Sequence, residues 1–394
     1  MKLVMNFNKI LENLDYVSTV VEDKLLDESL RNIIFKLTET GVSLIGYSSI
    51  SICKTHLQQG DFEVSFNEGD LENGVAYMQL KSKELSNFLG TFKTLKTTKP
   101  VAVEFETFRN KVRLTVVEEF LNSEEGEAPK TQKSVWMFDN LEVKPNVLKE
   151  IGVEVGEGTS VSSLDILLCV NSLSPLVSDE GGNSLPSRLN FAEDYVVAVP
   201  GTFASLFRNE LPEAFKGITL GYSALNFLRK ILMSNEVVTI GRSEIYLTIS
   251  TGTSDAFLRY QTKIPNTELY LRNYKKDHAV VVDRLYLRDV LKRLSIVNDN
   301  ALIEVDTANN VLKLKNSKFS QDVPLLAQKG MEGLPSVSFK LATAIFNKAI
   351  IGDDSVFAPE GGEVRMYITP LSPSGYVICF SDATDLWFSA VQVR

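Results

Sequence analysis

The residues that most often carry catalysis are sparse in this chain. Its two histidines, His56 and His278, lie outside any recognisable nucleophile or metal context, so neither a Ser-His-Asp triad nor a zinc site is expected. The glycine-rich residues 156–160 lack the lysine of a phosphate-binding loop. We therefore predict that the chain is not an enzyme and uses no metal or cofactor.

Paired acids are the one feature that suits a metal-dependent nuclease, because two-metal sites use such carboxylates. The pairs fall in predicted loops or at strand ends, where solvated carboxylates are common. They are Glu118-Glu119, Glu124-Glu125, Asp179-Glu180 and Asp353-Asp354. The nuclease stays open as an alternative, but it is the weaker interpretation.

Length and composition indicate a soluble protein of several domains. The 394 residues exceed what one core supports, and the net charge is −9. No apolar run approaches the roughly 18 residues of a membrane helix, and the N-terminus lacks the apolar core of a signal peptide. Cys53, Cys169 and Cys379 are widely spaced among apolar neighbours. These features predict reduced, buried thiols and a cytoplasmic location.

One pattern recurs six times along the chain. Segments with apolar residues at helical spacing begin near Phe7, Lys83, Ser162, Ser223, Arg284 and Lys340. Their predicted buried stripes are Phe7, Ile10, Leu11 and Leu14; Leu85, Phe88, Leu89 and Phe92; Leu164, Leu167 and Leu168; Ala224, Phe227, Leu228 and Ile231; Leu287, Val290, Leu291 and Leu294; and Ala342, Ile345, Phe346 and Ala349. Ser82 is the predicted N-cap of the second helix, and Ser162 with Asp165 forms a predicted capping box.

Stretches of period-two alternation separate the helices. Residues 101–117, 237–249 and 364–380 predict antiparallel strands, with turns at Arg109-Asn110 and Gly241-Arg242. Each unit is thus a short one-faced helix followed by strands, an α+β pattern. Pairing the units predicts three similar domains, residues 1–140, 141–266 and 267–394.

Positive charge is concentrated in the predicted helices of this acidic chain. Arg284, Arg288 and Lys292 follow one another at i, i+4 and i+8, opposite a leucine stripe. Four of the six helices are net basic. This distribution predicts a phosphate-facing surface that binds nucleic acid without reading its sequence. The alternative for any one helix is an ordinary solvated face.

This layout resembles the bacterial beta-type DNA sliding clamps, the processivity factors of replicative DNA polymerases. In the N-terminal half-unit, residues 41–48 (GVSLIGYS) look like the family's strand running into a G-T-D-type turn. Residues 196–203 (VVAVPGTF) take the place of its second-domain V-A-T-D-G-H-R segment, with Pro200, Thr202 and Phe203 where the family has Asp, His and Arg. The resemblance is that of a divergent member, of cellular or viral origin.

The resemblance implies a head-to-tail homodimeric ring with helices lining the hole and sheets outside. It encircles double-stranded DNA in a bacterial or virus-infected bacterial cell, tethers a DNA polymerase and is placed by a clamp loader. The residues implied to face DNA are Lys83, Lys93, Lys96, Arg229, Lys230, Arg284, Arg288, Lys292 and Lys348. A partner-peptide cleft is implied at Val199, Gly201, Thr202, Phe203, Pro265, Ala390, Val391 and Val393. A β-rich structural or ligand-binding protein without a DNA role is the remaining alternative.

Overall fold

A computed structural model describes residues 1–21, 28–95, 97–121, 130–177, 188–199, 203–208, 210–262, 275–296, 300–334, 337–342, 362–371, 375–382 and 387–393. Contacts divide the chain into two units. Unit 1 comprises residues 1–160 and 238–259, and unit 2 comprises residues 161–237 and 260–394. The division into three domains ending at residues 140 and 266 stays a prediction.

Short helices alternate with antiparallel strands throughout the described chain. The helices are α1 (Phe7–Ser18), α2 (Ser82–Gly90), α3 (Pro145–Ile151), α4 (Ser163–Leu173), α5 (Tyr222–Ser234) and α6 (Arg284–Leu294). The strands are β1 (Lys2–Asn6), β2 (Asn32–Leu37), β3 (Val42–Tyr47), β4 (Ser51–His56), β5 (Phe62–Ser65), β6 (Ala76–Lys81), β7 (Thr98–Phe108), β8 (Lys111–Phe120), β9 (Thr131–Asp139), β10 (Gly158–Ser162), β11 (Leu189–Phe191), β12 (Tyr195–Ala198), β13 (Phe203–Arg208), β14 (Ile218–Leu220), β15 (Val237–Arg242), β16 (Tyr246–Ser250), β17 (Ser254–Arg259), β18 (Ala279–Asp283), β19 (Asn300–Asp306), β20 (Val311–Lys315), β21 (Ser320–Lys329), β22 (Val337–Ala342), β23 (Glu363–Pro370), β24 (Tyr376–Ser381) and β25 (Trp387–Val393).

The sheets repeat one four-stranded arrangement, which we call a quartet. Unit 1 has a five-stranded sheet, β5-β1-β7-β8-β9, and an eight-stranded sheet, β10-β15-β16-β17-β4-β3-β2-β6; unit 2 has the twelve-stranded sheet β14-β11-β12-β13-β25-β24-β23-β18-β21-β20-β19-β22. Three quartets run β6-β2-β3-β4, β14-β11-β12-β13 and β22-β19-β20-β21. The other three run β1-β7-β8-β9, β10-β15-β16-β17 and β18-β23-β24-β25. The predicted α+β class and its repeated half-units are confirmed as a fold.

The helices cover one face of these sheets with the apolar stripes that their sequences carry. Helix α1 buries Phe7, Ile10, Leu14 and Val17, while Leu11 is half-buried at the edge of the stripe. The side chain of Asn6 caps this helix by accepting hydrogen bonds from the amides of residues 8 and 9. Helices α5 and α6 bury every residue predicted for their stripes. Each short helix is thus stabilised mainly by packing.

Helix α4 has a different buried face from the predicted one. Leu164 is 69% exposed, and Leu167 and Leu168 are only half-buried. The residues that pack inward are Ile166, Cys169, Val170 and Leu173. The prediction was wrong because this helix is apolar on most of its circumference, so spacing alone could not select the face.

Several local predictions were also wrong. Ser82 is the first residue of α2 and is buried, with Lys81 at the N-cap, and Ser162 precedes α4 without making a side-chain cap hydrogen bond. Gly241 and Arg242 lie inside β15, and the turn follows them. Lys340 and Ala342 lie in β22; Ile345, Phe346 and Ala349 lie outside the described residues.

Two predictions about composition can be compared with the structure. Cys53, Cys169 and Cys379 are free and buried, as expected. Within the described ranges, no helix has the length and apolar character needed to cross a membrane.

Candidate functional site

Helix α2 and the turn that follows it carry two of the predicted DNA-facing lysines on their surface. Lys83 is exposed on the first turn of α2, and Lys93 is exposed in the short 3₁₀ turn after the helix. Lys81 nearby is paired with Glu84 at 3.0 Å. Both predicted lysines are therefore available to an anionic ligand, while Lys96 lies outside the described residues.

Helix α6 divides its predicted basic stripe between the core and the surface. Arg284 is only 3% exposed, which contradicts its assignment as a phosphate-facing residue. Arg288 is half-buried, and Lys292 is fully at the surface. Arg284 is buried because the helix begins there, directly after the buried strand β18. Residues at i, i+4 and i+8 form a row that winds slowly around the helix, and Arg284, the first of the three, lies on the side that is buried.

Arg293 is a basic surface residue that the stripe argument missed. It is exposed beside Lys292, and its Nη1 donates to Gln321 Oε1 at 3.0 Å. Both cations lie in the last turn of α6, where positive charge interacts favourably with the helix dipole. The adjacent Lys-Arg pair at a helix C-terminus was the sequence signal for it.

Helices α4 and α5 of unit 2 contribute less open positive charge. Arg229 is half-buried, and its Nε donates to Asn171 Oδ1 on α4 at 2.7 Å. Lys230 is also half-buried. Lys348, predicted on a sixth helix, lies outside the described residues. The exposed cations of α2, of the turn after it and of α6 are therefore Lys83, Lys93, Lys292 and Arg293, and α3 adds the exposed Lys149 in its last turn.

An apolar cluster lies across the strands where the partner-peptide cleft was expected. Val197, Leu206, Ala279, Tyr367 and Cys379 are buried together, with Tyr195 and Val199 partly exposed against them. The Lys276 ammonium is 5.7 Å from the centre of the Tyr367 ring. Sequence reasoning found Val199 but missed both tyrosines, which are ordinary strand residues in the sequence.

The other predicted cleft residues are placed only in part. Phe203 begins β13, and Ala390, Val391 and Val393 lie in β25, which pairs with β13. Ala390 is the register partner of Cys379, one of the cluster residues. Gly201, Thr202 and Pro265 lie outside the described residues.

Strand β9 and part of β21, each the last strand of its quartet, have one edge without a partner among the described residues. Strand β9 is the outer strand of the five-stranded sheet, and Val135 and Met137 on it are 55% and 50% exposed. Residues 320–324 of β21 pair with β20 alone, while residues 325–329 pair with β18. Such free edges can pair with another chain.

His56 has neighbours that the sequence did not indicate. Its Nδ1 lies 3.0 Å from Ser43 Oγ, and its Nε2 lies 2.9 Å from Asp255 Oδ2. Burial would raise the pKa of Asp255, but hydrogen bonds from His56 and Ser250 outweigh burial and lower it.

These residue types match a catalytic triad, but their setting differs from one. Ser43 sits within β3, which is paired on both sides, so neighbouring backbone amides are engaged in the sheet rather than free to bind an oxyanion. Ser43, His56 and Asp255 thus form a row of hydrogen-bonded side chains across the neighbouring strands β3, β4 and β17.

The first acid pair does not form a metal site. Glu118 is 1% exposed within β8 and accepts from the hydroxyls of Thr98 and Ser134 at 2.7 and 3.0 Å. The expectation that this pair is solvated was therefore wrong for Glu118. The other three pairs lie outside the described residues. Among the residues that the structure describes, no group of three His, Cys, Asp or Glu side chains could hold a metal ion.

Comparisons with solved structures identify the fold. A DNA polymerase III subunit beta from Pseudomonas aeruginosa aligns with a TM-score of 0.74 at 16% identity, covering 100% of both chains. The DNA polymerase sliding clamp of Bacillus subtilis aligns with a TM-score of 0.74 at 14% identity, covering 100% of this chain and 99% of that one.

A putative DNA polymerase III beta subunit from Eubacterium rectale gives 0.73 at 15% identity, covering 100% of this chain and 99% of that one. Neither a protein-family model nor a curated protein matches the chain. The chain has the fold of the bacterial DNA sliding clamps, as its sequence resemblance implied.

Proposed function

We propose that this chain is a DNA sliding clamp, a non-enzymatic ring that encircles duplex DNA and holds a DNA polymerase on its template. The observation that carries this proposal is the sixfold repetition of one quartet, in a fold that aligns over its full length with known clamps. Repetition of one element suits a protein whose shape performs its function. Fold alone does not determine function. The proposal therefore also depends on the exposed positive charge of the helices and on the unpaired edges of the sheets.

Charge supports the DNA-binding part of the proposal. The chain is net −9, yet Lys83, Lys93, Lys292 and Arg293 are exposed on or beside helices. Scattered cations without base-reading groups give weak, sequence-independent phosphate contacts, which a sliding ring requires. Arg229, Lys230 and Arg288 are secondary candidates because they are half-buried, and Lys96 and Lys348 complete the proposed DNA-facing set.

The repeat also supports closure into a head-to-tail homodimer. Twice within the chain, the last strands of two quartets pair antiparallel over five residues: β4 with β17, and β13 with β25. The equivalent last strands of the remaining two quartets are β21 and β9. Their free edges are the expected third junction, made between two copies of the chain. Repeating the pairing in both directions would close the ring and leave no last strand of a quartet unpaired.

The apolar cluster around Tyr367 supports a partner-peptide site beside the β13–β25 junction. Tyr195 and Val199 offer partly exposed apolar surface there, and Lys276 adds a cation. We propose that Val199, Gly201, Thr202, Phe203, Pro265, Ala390, Val391 and Val393 belong to this site and bind the polymerase and the clamp loader. Phe203 and Thr202 in place of the family's Arg and His imply a different peptide preference.

A topological test separates a clamp from an ordinary DNA-binding protein. The protein is loaded onto nicked circular DNA with the clamp loader of its host, and the DNA is isolated by gel filtration before and after linearisation by a restriction enzyme. A ring stays with the circle and slides off the linear form. Equal retention on both forms would refute encirclement. A polymerase extension assay on the loaded circle then measures processivity.

A further inference from the structure

A cavity of about 710 Å³ opens in unit 1, and its lining includes no residue of the proposed peptide cleft. Its walls come from the β5–β6 connection, the β7–β8 turn and residues 140–148, which lead into α3. The volume lies within the range of protein ligand sites. No property proposed above uses this cavity.

Backbone hydrogen bonds hold the three walls together. The Asn140 amide donates to the Asn110 carbonyl at 2.8 Å, and the Leu141 amide donates to the Gln79 carbonyl at 3.1 Å. Asn140 Oδ1 in turn accepts from the Gln79 amide at 3.2 Å. Val147 and Ile151 of α3 belong to the hydrophobic core of unit 1, and Leu148 packs against that core. The cavity is therefore preformed, so a ligand would pay little to order it.

Part of the cavity lining is apolar. Tyr77, Leu141, Val143 and Leu148 line it, and each is only partly buried. Burial raises the pKa of Tyr77, so its hydroxyl stays neutral at pH 7. These side chains would bury further apolar area if an aliphatic or aromatic group bound against them.

The exposed charged residues of the lining are mainly acidic. Glu72 and Glu142 are exposed, and among the described residues neither makes an ion pair, whereas Asp70 accepts the Met1 ammonium at 2.6 Å. Arg109 is the single cation of the lining. Two uncompensated carboxylates beside an apolar wall favour a ligand that is both cationic and apolar. DNA is excluded by this charge, and a polyamine or metal ion would leave the apolar wall unused.

We propose that this cavity is a docking site for a linear peptide segment of a partner protein. The segment places a lysine or arginine at Glu72 and Glu142 and a Leu- or Phe-sized side chain against Tyr77 and Leu148. It gives unit 1 a partner site separate from the apolar cluster of unit 2. This inference goes beyond the proposed function and does not depend on encirclement of DNA.

Fluorescein-labelled octapeptide pools test the site by anisotropy. One pool fixes Lys or Arg two residues from Leu or Phe, and a matched pool carries Glu at the basic position. We expect only the basic pool to bind the full chain. Binding should weaken at least tenfold in the double variant E72Q/E142Q and also in L148Q, with folding checked by circular dichroism.

The matched control is E63Q/E157Q, which neutralises two exposed carboxylates of unit 1 that do not line the cavity. Its affinity should stay within about twofold of the wild type. Failure of the basic pool to bind, or equal affinity in E72Q/E142Q and the control, would overturn the proposal. Binding by both pools alike would do the same.

Discussion

The carbonyl oxygen of Val17, near the end of α1, lies so close to Gly46 of β3 that a β-carbon at position 46 would be 2.1 Å from it. That distance is far below any van der Waals contact. Helix and strand therefore approach as closely as their backbones allow, and only glycine fits. Gly46 lies within residues 41–48, the segment whose similarity to the clamps was noted from sequence, and this contact gives that glycine a physical role.

The first prediction concerns this contact. We expect Gly46→Ala to lower the free energy of unfolding by at least about 2 kcal/mol, because α1 must move off the sheet to admit the methyl group. Urea denaturation followed by circular dichroism measures the change. Gly90→Ala is the control, since a β-carbon there meets nothing within 4 Å, and alanine at this helical position should leave stability unchanged or raise it by up to about 1 kcal/mol. Equal stability of the two variants would contradict the close approach.

Helix packing could be predicted from sequence only where a helix has one apolar face. Helices α5 and α6 place polar residues opposite their stripes, so periodicity identified the buried set correctly. Helix α4 carries Asp165 as its only charged residue, and the prediction chose Leu164, which is exposed. The prediction that Arg284 faces phosphates was wrong for a related reason. The spacing of residues gives their direction around the helix axis, but it does not show which part of the fold packs against the first turn.

The pairing of distant strands could not be predicted. Strands β4 and β17 are about 200 residues apart in the sequence, and no local pattern indicates that they pair.

The second prediction separates buried from exposed charge on α6. Because Arg284 is 3% exposed, Arg284→Glu should destabilise the fold by about 3 kcal/mol, as expected for reversing a buried charge. Lys292→Glu should cost less than about 1 kcal/mol, because it loses only the favourable interaction of an exposed cation with the C-terminal end of the helix. The same denaturation assay compares the two variants. If R284E were as stable as the wild type, the prediction that position 284 requires its buried positive charge would be contradicted.

The third prediction concerns DNA contacts at the end of α6. The double variant K292E/R293E should bind a fluorescent 30-base-pair duplex more weakly. Its plot of log affinity against log salt should be shallower by about 2 if both cations contact phosphates, since each contact contributes about 0.9. K318E/K329E reverses two exposed lysines off the helices and should keep the wild-type slope. An identical slope in both double variants would remove α6 from the DNA surface.

The fourth prediction uses the lowered pKa of Asp255, which hydrogen bonds from His56 and Ser250 cause against the opposing effect of burial. A carboxyl whose pKa is depressed in the folded state contributes stability above its unfolded pKa, about 3.9, and loses it as pH falls through the folded value. Asp255→Asn should therefore reduce the loss of stability on acidification below about pH 4. Urea midpoints between pH 3 and 7 measure it, with Asp194→Asn, in the exposed loop between β11 and β12, as the control. Parallel curves for D255N and the wild type would exclude this contribution.

The last prediction concerns ring closure through β9. Val135 and Met137 are 55% and 50% exposed within a free edge strand, so aspartate at both positions should cost the isolated chain little. If β9 pairs with residues 320–324 of a second copy, the introduced charges would be desolvated at the junction and would oppose it. In size-exclusion chromatography with light scattering, the wild type should have twice the 43.9 kDa chain mass and V135D/M137D the mass of a single chain.

The control is Ile245→Asp, which places the same charge at an exposed apolar position in a hairpin turn and should remain dimeric. A V135D/M137D variant that still eluted as a dimer would place the junction elsewhere, since an aspartate pair within an antiparallel edge cannot be accommodated without loss of affinity.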